Sequence, residues 1–367
     1  MTNIGIVGIG DISGIYLKNI SEIFKELNLV AVCDLKKDRA LRAQEKYNIP
    51  KVYDTMYELF EDESIDLVLN LTRPYEHYGV SKAALLAGKN VYSEKPLGAS
   101  LEEGKELVKL AEEKGLMIGG APDTFLGAGI QTCRKLIDDG LIGDIVGGFG
   151  AMICRGHESW HPDPEFYYKY GGGPMLDMGP YYITALVNLM GGVKAVTGIT
   201  KTSFAKRTIT SQPLNGTVID VDVPTYITGI LHFESGAIAN LTTTFDVYKA
   251  TSNNIIEIYG SKGTLFVPDP NCFGGPVKFF DGETKEEKEF PLTFDYAENS
   301  RALGLADMAK ALEEGRLPRA SYKQTYHVLE VMQAFEKSSR EGKTIEIESD
   351  YERQMPMNPA NEHGILD

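Results

Sequence analysis

The chain has 367 residues, of which 43% are hydrophobic, and a formal net charge of −15 from 37 basic and 52 acidic residues. This length favours two domains, and the acidic balance disfavours nucleic acid and anionic membranes as partners. No stretch approaches the roughly 18 apolar residues of a membrane span, and we expect no signal peptide before the first strand. The scattered cysteines form no C-x-x-C motif. We therefore expect a cytoplasmic protein with reduced thiols.

A glycine-rich turn follows the first apolar run, Ile4–Val7. The turn reads Gly8-Ile9-Gly10-Asp11-Ile12-Ser13, the G-x-G-x-x-G/A dinucleotide pattern with serine in the third small position. In this pattern the first glycine permits a tight turn, and the second lets a pyrophosphate approach the backbone at a helix N-terminus. We therefore predict that Gly8, Gly10, Asp11 and Ile12 bind a dinucleotide.

An amphipathic helix and a buried strand, Leu29–Cys33, are predicted next, and Asp34 follows that strand. An acid at about this distance from the first glycine hydrogen-bonds the adenosine ribose. Its charge also repels the 2′-phosphate of NADP, by roughly 4 kcal/mol at about 4 Å and an effective dielectric of about 20. The repulsion by Asp34 favours NAD, which is the predicted cofactor. NADP is left open because three basic residues that could offset this repulsion follow closely, namely Lys36, Lys37 and Arg39.

Strands and helices alternate through the first third of the chain. The predicted elements are a strand at 65–71, a helix at 75–87, a strand at 90–92, a helix that starts after Ser100 and ends at Gly115, and a strand at 117–120. Ser100 and Glu103 have the spacing of a capping box. Such alternation predicts a doubly wound parallel sheet, so we expect a Rossmann dinucleotide-binding domain over residues 1–122.

The pattern changes after residue 122. A helix near 126–138 precedes predicted strands at 145–154, 193–204, 225–233, 237–245, 254–259 and 264–267, and helices at 300–314 and 322–339 follow. Because these strands lack intervening helices, the sheet should be largely antiparallel and open, with one face toward water or another subunit. We expect an α/β substrate-binding and oligomerisation domain over 123–350, an extended tail over 351–367, and a homodimer or homotetramer formed through this sheet.

Two clusters of candidate site residues follow predicted parallel strands. Thr72, Pro74 and His77 come after the strand at 65–71, and Glu94, Lys95 and Pro96 come after the strand at 90–92. The carboxyl ends of strands in an open α/β sheet face the ligand crevice. These residues are therefore predicted to bind the cofactor, although His77 is equally consistent with a helix-surface residue.

A third cluster lies in the second domain, where Gly171–Gly173 leads into a helix. Asp177 and Tyr181 are four residues apart and so share one helical face, whereas Tyr182, an alternative functional tyrosine, lies off that face. Pro180 clashes with the carbonyl of residue 176 inside a helix. We therefore predict that the helix begins near Asp177 or is kinked there.

In order and spacing, these motifs resemble those of the Gfo/Idh/MocA oxidoreductases over nearly the whole chain. The resemblance implies a Rossmann domain and a mostly antiparallel α/β domain. It also implies NAD(P) as cofactor and the oxidation or reduction of a sugar, cyclitol or related polyol. By this resemblance Lys95 is the catalytic lysine of the E-K-P motif, and Asp177 is the aspartate of the D-x-G-x-H motif, which orients the substrate or the lysine.

The chain departs from that motif at Tyr181, where most members of the family have histidine. A tyrosine has a pKa near 10 and serves as a base only if a cation such as Lys95 lowers it, so a Tyr181–Lys95 pair is the first predicted mechanism. In the second, His157 or His161 supplies the missing base, and Trp160 stacks on a sugar face. The six histidines show no ligand spacing, so no metal is expected.

The predicted function is an NAD(P)-dependent dehydrogenase or reductase of a carbohydrate-like substrate. Two alternatives remain open. One is a glycosidase that uses bound NAD for transient oxidation, and the other is a non-catalytic NAD-binding regulatory protein. The absence of histidine at position 181 is the main argument for the regulatory protein.

Overall fold

The computed structural model describes residues 1–251 and 255–367. The N-terminal strands are β1 (Thr2–Val7), β2 (Leu27–Cys33), β3 (Lys51–Tyr53), β4 (Leu67–Asn70), β5 (Asn90–Ser93) and β6 (Ile118–Gly120). The helices between them are α1 (Ser13–Glu22), α2 (Lys37–Tyr47), α3 (Met56–Glu61), α4 (His77–Leu86) and α5 (Leu101–Lys114). The strands pair in parallel in the order β3-β2-β1-β4-β5-β6. This is the predicted doubly wound Rossmann sheet, which is confirmed.

The strands of this sheet are covered on both faces. Ile4, Ile6, Val32, Leu67 and Val91 have no solvent exposure, as expected for apolar runs in a parallel sheet between two helical layers. Burial of each such side chain contributes about 1.5–3 kcal/mol. The sheet is therefore a rigid base, and its carboxyl edge holds the loops after β1, β4 and β5 in fixed positions.

Helix α5 shows how local sequence sets an element's ends. The Ser100 hydroxyl accepts a hydrogen bond from the Glu103 backbone N–H at 3.2 Å, which is half of the predicted capping box. The Glu103 carboxylate instead accepts from the Ala99 N–H at 2.7 Å. Gly115, at φ +65°, ends the helix in the left-handed conformation that glycine adopts without strain.

The C-terminal part contains helices α6 (Ala128–Asp138), α7 (Gly173–Met190), α8 (Leu303–Glu314) and α9 (Tyr322–Glu341). Its strands are β7 (Ile145–Ile153), β8 (Val193–Lys201), β9 (Lys206–Thr208), β10 (Val218–Asp220), β11 (Tyr226–Phe233), β12 (Ile238–Thr244), β13 (Ile255–Gly260), β14 (Gly263–Val267), β15 (Val277–Asp281), β16 (Glu287–Phe290) and β17 (Ile345–Glu346). Residue 254 of the predicted 254–259 strand lies outside the described residues.

Within the described residues, nine strands form the C-terminal sheet, in the order β16-β15-β14-β13-β7-β12-β11-β8-β17. All neighbours are antiparallel except β12 and β7, which confirms the largely antiparallel prediction. Helices α7 and α9 pack on one face, where Leu231, Leu241 and Ile258 are fully buried. On the other face, Ile199 and Ile238 are 69% and 52% exposed.

Two element boundaries differ from the predictions. Helix α7 begins at Gly173, not near Asp177, and contains Pro180 in its interior. Pro174, in the first turn, occupies a position that favours proline, and Pro180 lies in the interior of a mostly buried helix. The strand predicted to continue through residue 204 ends at Lys201, and β9 and β10 form a separate antiparallel hairpin.

The final segment, 351–367, contains no helix or strand but is anchored. Tyr351, Met357 and Leu366 are buried, and the Leu366 N–H donates to the Glu26 carboxylate at 2.8 Å. The tail therefore runs back across the molecule to the turn before β2.

Candidate active site

The glycine turn after β1 fits a dinucleotide. Gly8 has φ +98°, and a Cβ there would lie 2.8 Å from the backbone of Leu71, so only glycine suits this crossing. A Cβ on Gly10 would meet nothing within 4 Å, which leaves open space beside the turn, and Asp11 is exposed. No side chain caps the start of α1, so no side-chain oxygen occupies the helix N-terminus, where a phosphate group binds in such folds.

Asp34 lies at the carboxyl end of β2, beside this turn. One carboxylate oxygen accepts the Ile9 N–H at 2.6 Å, and the other accepts the Lys36 N–H at 2.7 Å. These bonds hold the carboxylate at the place where the dinucleotide pattern requires an acid for the ribose hydroxyls.

The loops after β4 and β5 are tied together below the crevice by His77. Its side chain is 1% exposed, and its two ring nitrogens lie 2.8 Å from the Pro96 carbonyl oxygen and 3.0 Å from that of Thr72. Burial lowers the pKa of His77. The enclosed ring of His77 links the two loops, and its predicted contact with the cofactor stays a prediction.

Other residues of these loops are also held firmly. The Thr72 hydroxyl donates to Asn70 at 2.7 Å, and Pro74 begins a short 3₁₀ turn that leads into α4. Glu94 accepts the Tyr16 hydroxyl at 2.8 Å and the Lys95 N–H at 3.0 Å. The backbone beside Lys95 is therefore fixed before any ligand binds.

Lys95 and Asp177 join the two halves of the site. The Lys95 ammonium donates to the Asp177 carboxylate at 2.8 Å and to its backbone carbonyl at 2.6 Å. Burial acts to lower the pKa of Lys95, but the electrostatic effect of its neighbours, chiefly the Asp177 carboxylate, outweighs it and raises the pKa above its ordinary value. Lys95 is therefore a cation, and one of its three N–H donors has no acceptor among the described residues.

His157 approaches the same carboxylate from the loop after β7. Its Nε2 lies 3.5 Å from Asp177 Oδ2, and its ring stacks on Tyr167 with centroids 3.8 Å apart. Burial lowers the pKa of His157 to about 4, although the Asp177 carboxylate acts in the opposite direction. The imidazole is therefore neutral near pH 7 and able to accept a proton.

Tyr181 lies next to Lys95, as its spacing from Asp177 predicts, with the ammonium 5.2 Å from its ring centroid. However, burial raises the pKa of Tyr181 by more than Lys95 lowers it. The expected lowering of this pKa is thus wrong for the ligand-free site, because the ring is almost fully enclosed. The hydroxyl is available as a proton donor.

Trp160 and His161 flank the site rather than join its centre. Trp160 is 61% exposed, and its ring centroid lies 5.2 Å from that of His157. His161 Nδ1 accepts the Asp163 N–H at 3.0 Å. Their proposed contacts with substrate remain predictions.

Three site neighbours carried no recognisable sequence signal. Arg301 comes from the loop before α8 and places a guanidinium nitrogen 3.5 Å from the Tyr181 hydroxyl. Tyr167 forms the stacking surface under His157, and Tyr16 holds Glu94. All three are brought in by tertiary packing, which no local motif reports.

Among the described residues, no group of three His, Cys, Asp or Glu side chains is arranged to hold a metal ion. Likewise, in the part of the chain that the structure describes, none of the helices is both long and apolar enough to cross a membrane.

Comparison with known families gives matches over both parts of the chain. Residues 2–120 match the model described as oxidoreductase family, NAD-binding Rossmann fold, with the short name GFO_IDH_MocA. Residues 130–266 match the GFO/IDH/MocA C-terminal domain.

Curated relatives include several dehydrogenases. The trans-1,2-dihydrobenzene-1,2-diol dehydrogenase of Bos taurus is 27% identical over 292 residues, which cover 78% of this chain and 79% of the relative. The myo-inositol 2-dehydrogenase of Thermotoga maritima is 25% identical over 264 residues, covering 72% of this chain and 74% of the relative.

Solved structures share the fold. An NAD-binding oxidoreductase from Klebsiella pneumoniae superposes with a TM-score of 0.82 at 20% identity, over 95% of this chain and 100% of the other. Levoglucosan dehydrogenase in complex with NADH and L-sorbose superposes with a TM-score of 0.81 at 18% identity, over 95% and 99% of the two chains.

Proposed function

The chain belongs to the GFO/IDH/MocA oxidoreductase family and binds NAD, and from this premise we propose that it exchanges hydride with a hydroxyl-bearing carbon of a sugar, cyclitol or related polyol. The observation that carries this proposal is the Lys95–Asp177–His157 cluster at the carboxyl edge of the Rossmann sheet. It combines a cation, a carboxylate and a neutral imidazole. Dehydrogenation of an alcohol requires a group that accepts the hydroxyl proton and a hydrogen-bond donor or cation that stabilises the negative charge on the oxygen.

The Rossmann side supplies the cofactor contacts in this proposal. The turn at Gly8 and Gly10, together with Asp11 and Ile12, would hold the pyrophosphate, and Asp34 would hold the adenosine ribose. Thr72, Pro74, Glu94 and Pro96 would border the nicotinamide. When bound, the nicotinamide supplies the hydride acceptor or donor at C4.

The chain's own residues handle the substrate oxygen. The free N–H of the Lys95 ammonium donates to that oxygen and stabilises the negative charge that develops there. During oxidation His157, neutral and with its hydrogen on Nδ1, accepts the hydroxyl proton at Nε2, and the imidazolium that results faces the Asp177 carboxylate. Tyr181, which remains protonated, donates a hydrogen bond to the same oxygen.

This assignment predicts a particular pH dependence. A proton acceptor works only when unprotonated, so oxidation slows as pH falls through the pKa of His157, about 4 in the ligand-free protein. The rate should therefore be level across neutral pH. If Tyr181 were the base, the rate would instead keep rising through the alkaline range, because burial raises the pKa of Tyr181 above its ordinary value.

NADH absorbance provides the direct test. The purified protein is screened with NAD and NADP against inositols, hexoses, pentoses, sugar acids and anhydrosugars, and with NADH against the keto forms. We expect NAD-linked turnover with at least one polyol, and a loss of about 10²-fold or more in His157→Asn. His363→Asn serves as the matched control, because His363 is exposed and its ring contacts Asp295 rather than a residue of the Lys95–Asp177–His157 cluster.

Absence of NADH turnover despite measured NAD binding would contradict the proposal. Cleavage of a chromogenic glycoside without net NADH would then indicate the glycosidase alternative, and silence in both assays would indicate the regulatory one.

We further propose that the protein forms a homodimer or homotetramer through the C-terminal sheet. Ile199, Ile230, Ile238 and Phe280 lie on the face opposite α7 and α9, and all four are exposed in the single chain. Light scattering should give a mass that is a multiple of the 40.4 kDa chain mass. The double variant Ile199→Lys/Ile238→Lys should have the mass of a single chain. A monomeric mass for the unmodified protein would contradict this proposal.

A further inference from the structure

His157 lies in a segment without regular structure, so something other than a helix or a strand must fix its position. The loop between β7 and the short turn at Glu165 contains no helix or strand. The His157 ring has one polar contact, at 3.5 Å to Asp177, and its Nδ1 is buried without a hydrogen-bond partner among the described residues. A contact of 3.5 Å is too long to orient a ring.

Arg207, on strand β9, holds this loop from both sides of His157. Its Nη1 donates to the Arg155 carbonyl at 2.9 Å and to Glu158 Oε1 at 2.7 Å, that is, two residues before and one residue after the histidine. The other Glu158 oxygen accepts the Tyr168 hydroxyl at 2.5 Å. The Tyr168 oxygen in turn accepts the His157 N–H at 3.3 Å.

The same guanidinium also fixes the wall against which the His157 ring packs. Arg207 Nη2 donates to the Phe245 carbonyl at 2.9 Å and to the Asp246 carboxylate. The Phe245 ring lies edge-on to the imidazole, with centroids 4.7 Å apart. Arg207 is 3% exposed, so these charge-assisted bonds are shielded from water.

The space around this network is fully used. Gly156 has φ +100°, and a Cβ there would lie 2.2 Å from the Tyr168 hydroxyl and 2.4 Å from a Glu158 oxygen. The hairpin reinforces the loop further along, where the Ser211 N–H donates to the Glu158 carbonyl at 2.9 Å. The arrangement therefore leaves the loop little freedom once Arg207 is in place.

We propose that Arg207 is a positioning residue that fixes the ring of His157 against Asp177, so that the β9–β10 hairpin controls proton transfer in the crevice. Arg207 does not touch the reacting atoms in this arrangement. It acts by holding the histidine's neighbours, and the inference rests on the proposed function for its catalytic consequence.

The charged and titratable groups that face His157 come from three elements. Asp177 faces it from α7, Lys95 from the loop after β5, and Glu158 and His161 from its own loop, while Tyr167 covers one ring face. If the loop loosens, the ring gains solvent while these groups remain nearby. The pKa of His157 then rises toward the ordinary histidine value of about 6.5.

The test compares two buried arginines. Arg207→Met should raise the pKa of the His157 ring by about one unit or more. This pKa is measured by an NMR titration of the histidine signals in protein without NAD. Arg207→Met should also lower kcat by roughly 10-fold or more and leave the dissociation constant of NAD unchanged. Arg207→Lys keeps the positive charge but replaces the guanidinium with a single ammonium group. Its His157 pKa and its kcat should therefore lie between those of wild type and Arg207→Met.

Arg319→Met is the matched control. Arg319 is 6% exposed and bonds the Asp307 carboxylate at 2.6 Å and the Met355 carbonyl at 3.1 Å, in contacts of the same kind near the chain's tail. It should lose stability as Arg207→Met does, without moving the His157 titration or the pH profile. If Arg207→Met does not fold, Tyr168→Phe is measured instead, because it removes the hydroxyl that links the Glu158 carboxylate to the His157 N–H without changing a charge.

An unchanged His157 titration and pH profile in the Arg207 variants would overturn the proposal, and so would an equal shift in Arg319→Met. Because the NMR readout needs neither cofactor nor substrate, it separates this inference from the proposed function. If the titration moves but no polyol is turned over, the proposed function fails and the positioning role stands.

Discussion

The two walls of the crevice are built by different means. On the Rossmann side the wall is formed mainly by backbone, namely the turn at Gly8, the ends of β4 and β5, and the N-terminus of α1, which no side chain caps. On the C-terminal side, side chains of Arg207, Glu158 and Tyr168 hold a loop that has no helix or strand. The first wall follows from local sequence and the second from long-range packing.

Lys95 is the point at which the two walls meet, so its replacement should have the largest effect. In Lys95→Met the Asp177 carboxylate loses its cation, and the substrate oxygen loses its donor. We expect kcat/KM to fall by about 10²–10⁴-fold, measured by NADH formation. NAD affinity, followed by fluorescence, should change little, and near wild-type turnover would contradict the role assigned to Lys95.

A pair of glycine variants tests the Rossmann wall on its own. Gly10→Ala places a Cβ in open space, so the fold should keep its stability while NAD affinity falls about 10-fold or more, or ~1.4 kcal/mol. Gly8→Ala forces a Cβ to within 2.8 Å of the Leu71 backbone at positive φ, so it should destabilise the protein by about 1–3 kcal/mol.

Calorimetry of NAD binding together with thermal unfolding separates the two outcomes. Unchanged NAD affinity in Gly10→Ala would contradict the assignment of Gly10 to the cofactor, and equal losses of stability in both variants would contradict the open space beside Gly10.

Sequence reasoning identified the Rossmann wall more completely than the C-terminal wall, for a physical reason. Gly8, Asp34 and Lys95 each lie at a fixed offset from a strand end, and offsets along the chain are visible in a sequence. Arg207 lies 50 positions from His157 and reaches it only through the tertiary fold. The spacing of Asp177 and Tyr181 did place both on one face of a helix, beside Lys95.

Errors in the sequence predictions have the same origin. The pKa of Tyr181 depends on burial, which the Lys95 spacing does not reveal. The predicted start of α7 near Asp177 was wrong because the proline rule considers only the local backbone, whereas most of this helix is buried by tertiary packing.

Asp34 offers a smaller, electrostatic test of the Rossmann wall. Asp34→Ser removes the carboxylate that repels a 2′-phosphate and leaves Lys36, Lys37 and Arg39 in place. We expect the preference for NAD over NADP to fall by about 5- to 10-fold, well below the upper limit from an unscreened charge pair, because the site is partly solvated. Dissociation constants for both cofactors, measured at two salt concentrations, check this. An unchanged ratio would assign cofactor choice to another residue.

The smallest expected effect comes from Tyr181→Phe, which distinguishes two candidate proton acceptors on the C-terminal wall. Since burial keeps the Tyr181 hydroxyl protonated, its removal costs one hydrogen bond to the substrate oxygen, about 1 kcal/mol or roughly 5-fold in kcat. The pH profile should keep its shape, because the proton acceptor in the proposed mechanism is His157. A loss of 10²-fold together with disappearance of an alkaline limb would instead make Tyr181 the base. That result would move the proton-transfer step from the loop held by Arg207 to helix α7, and proton transfer would then no longer depend on the β9–β10 hairpin.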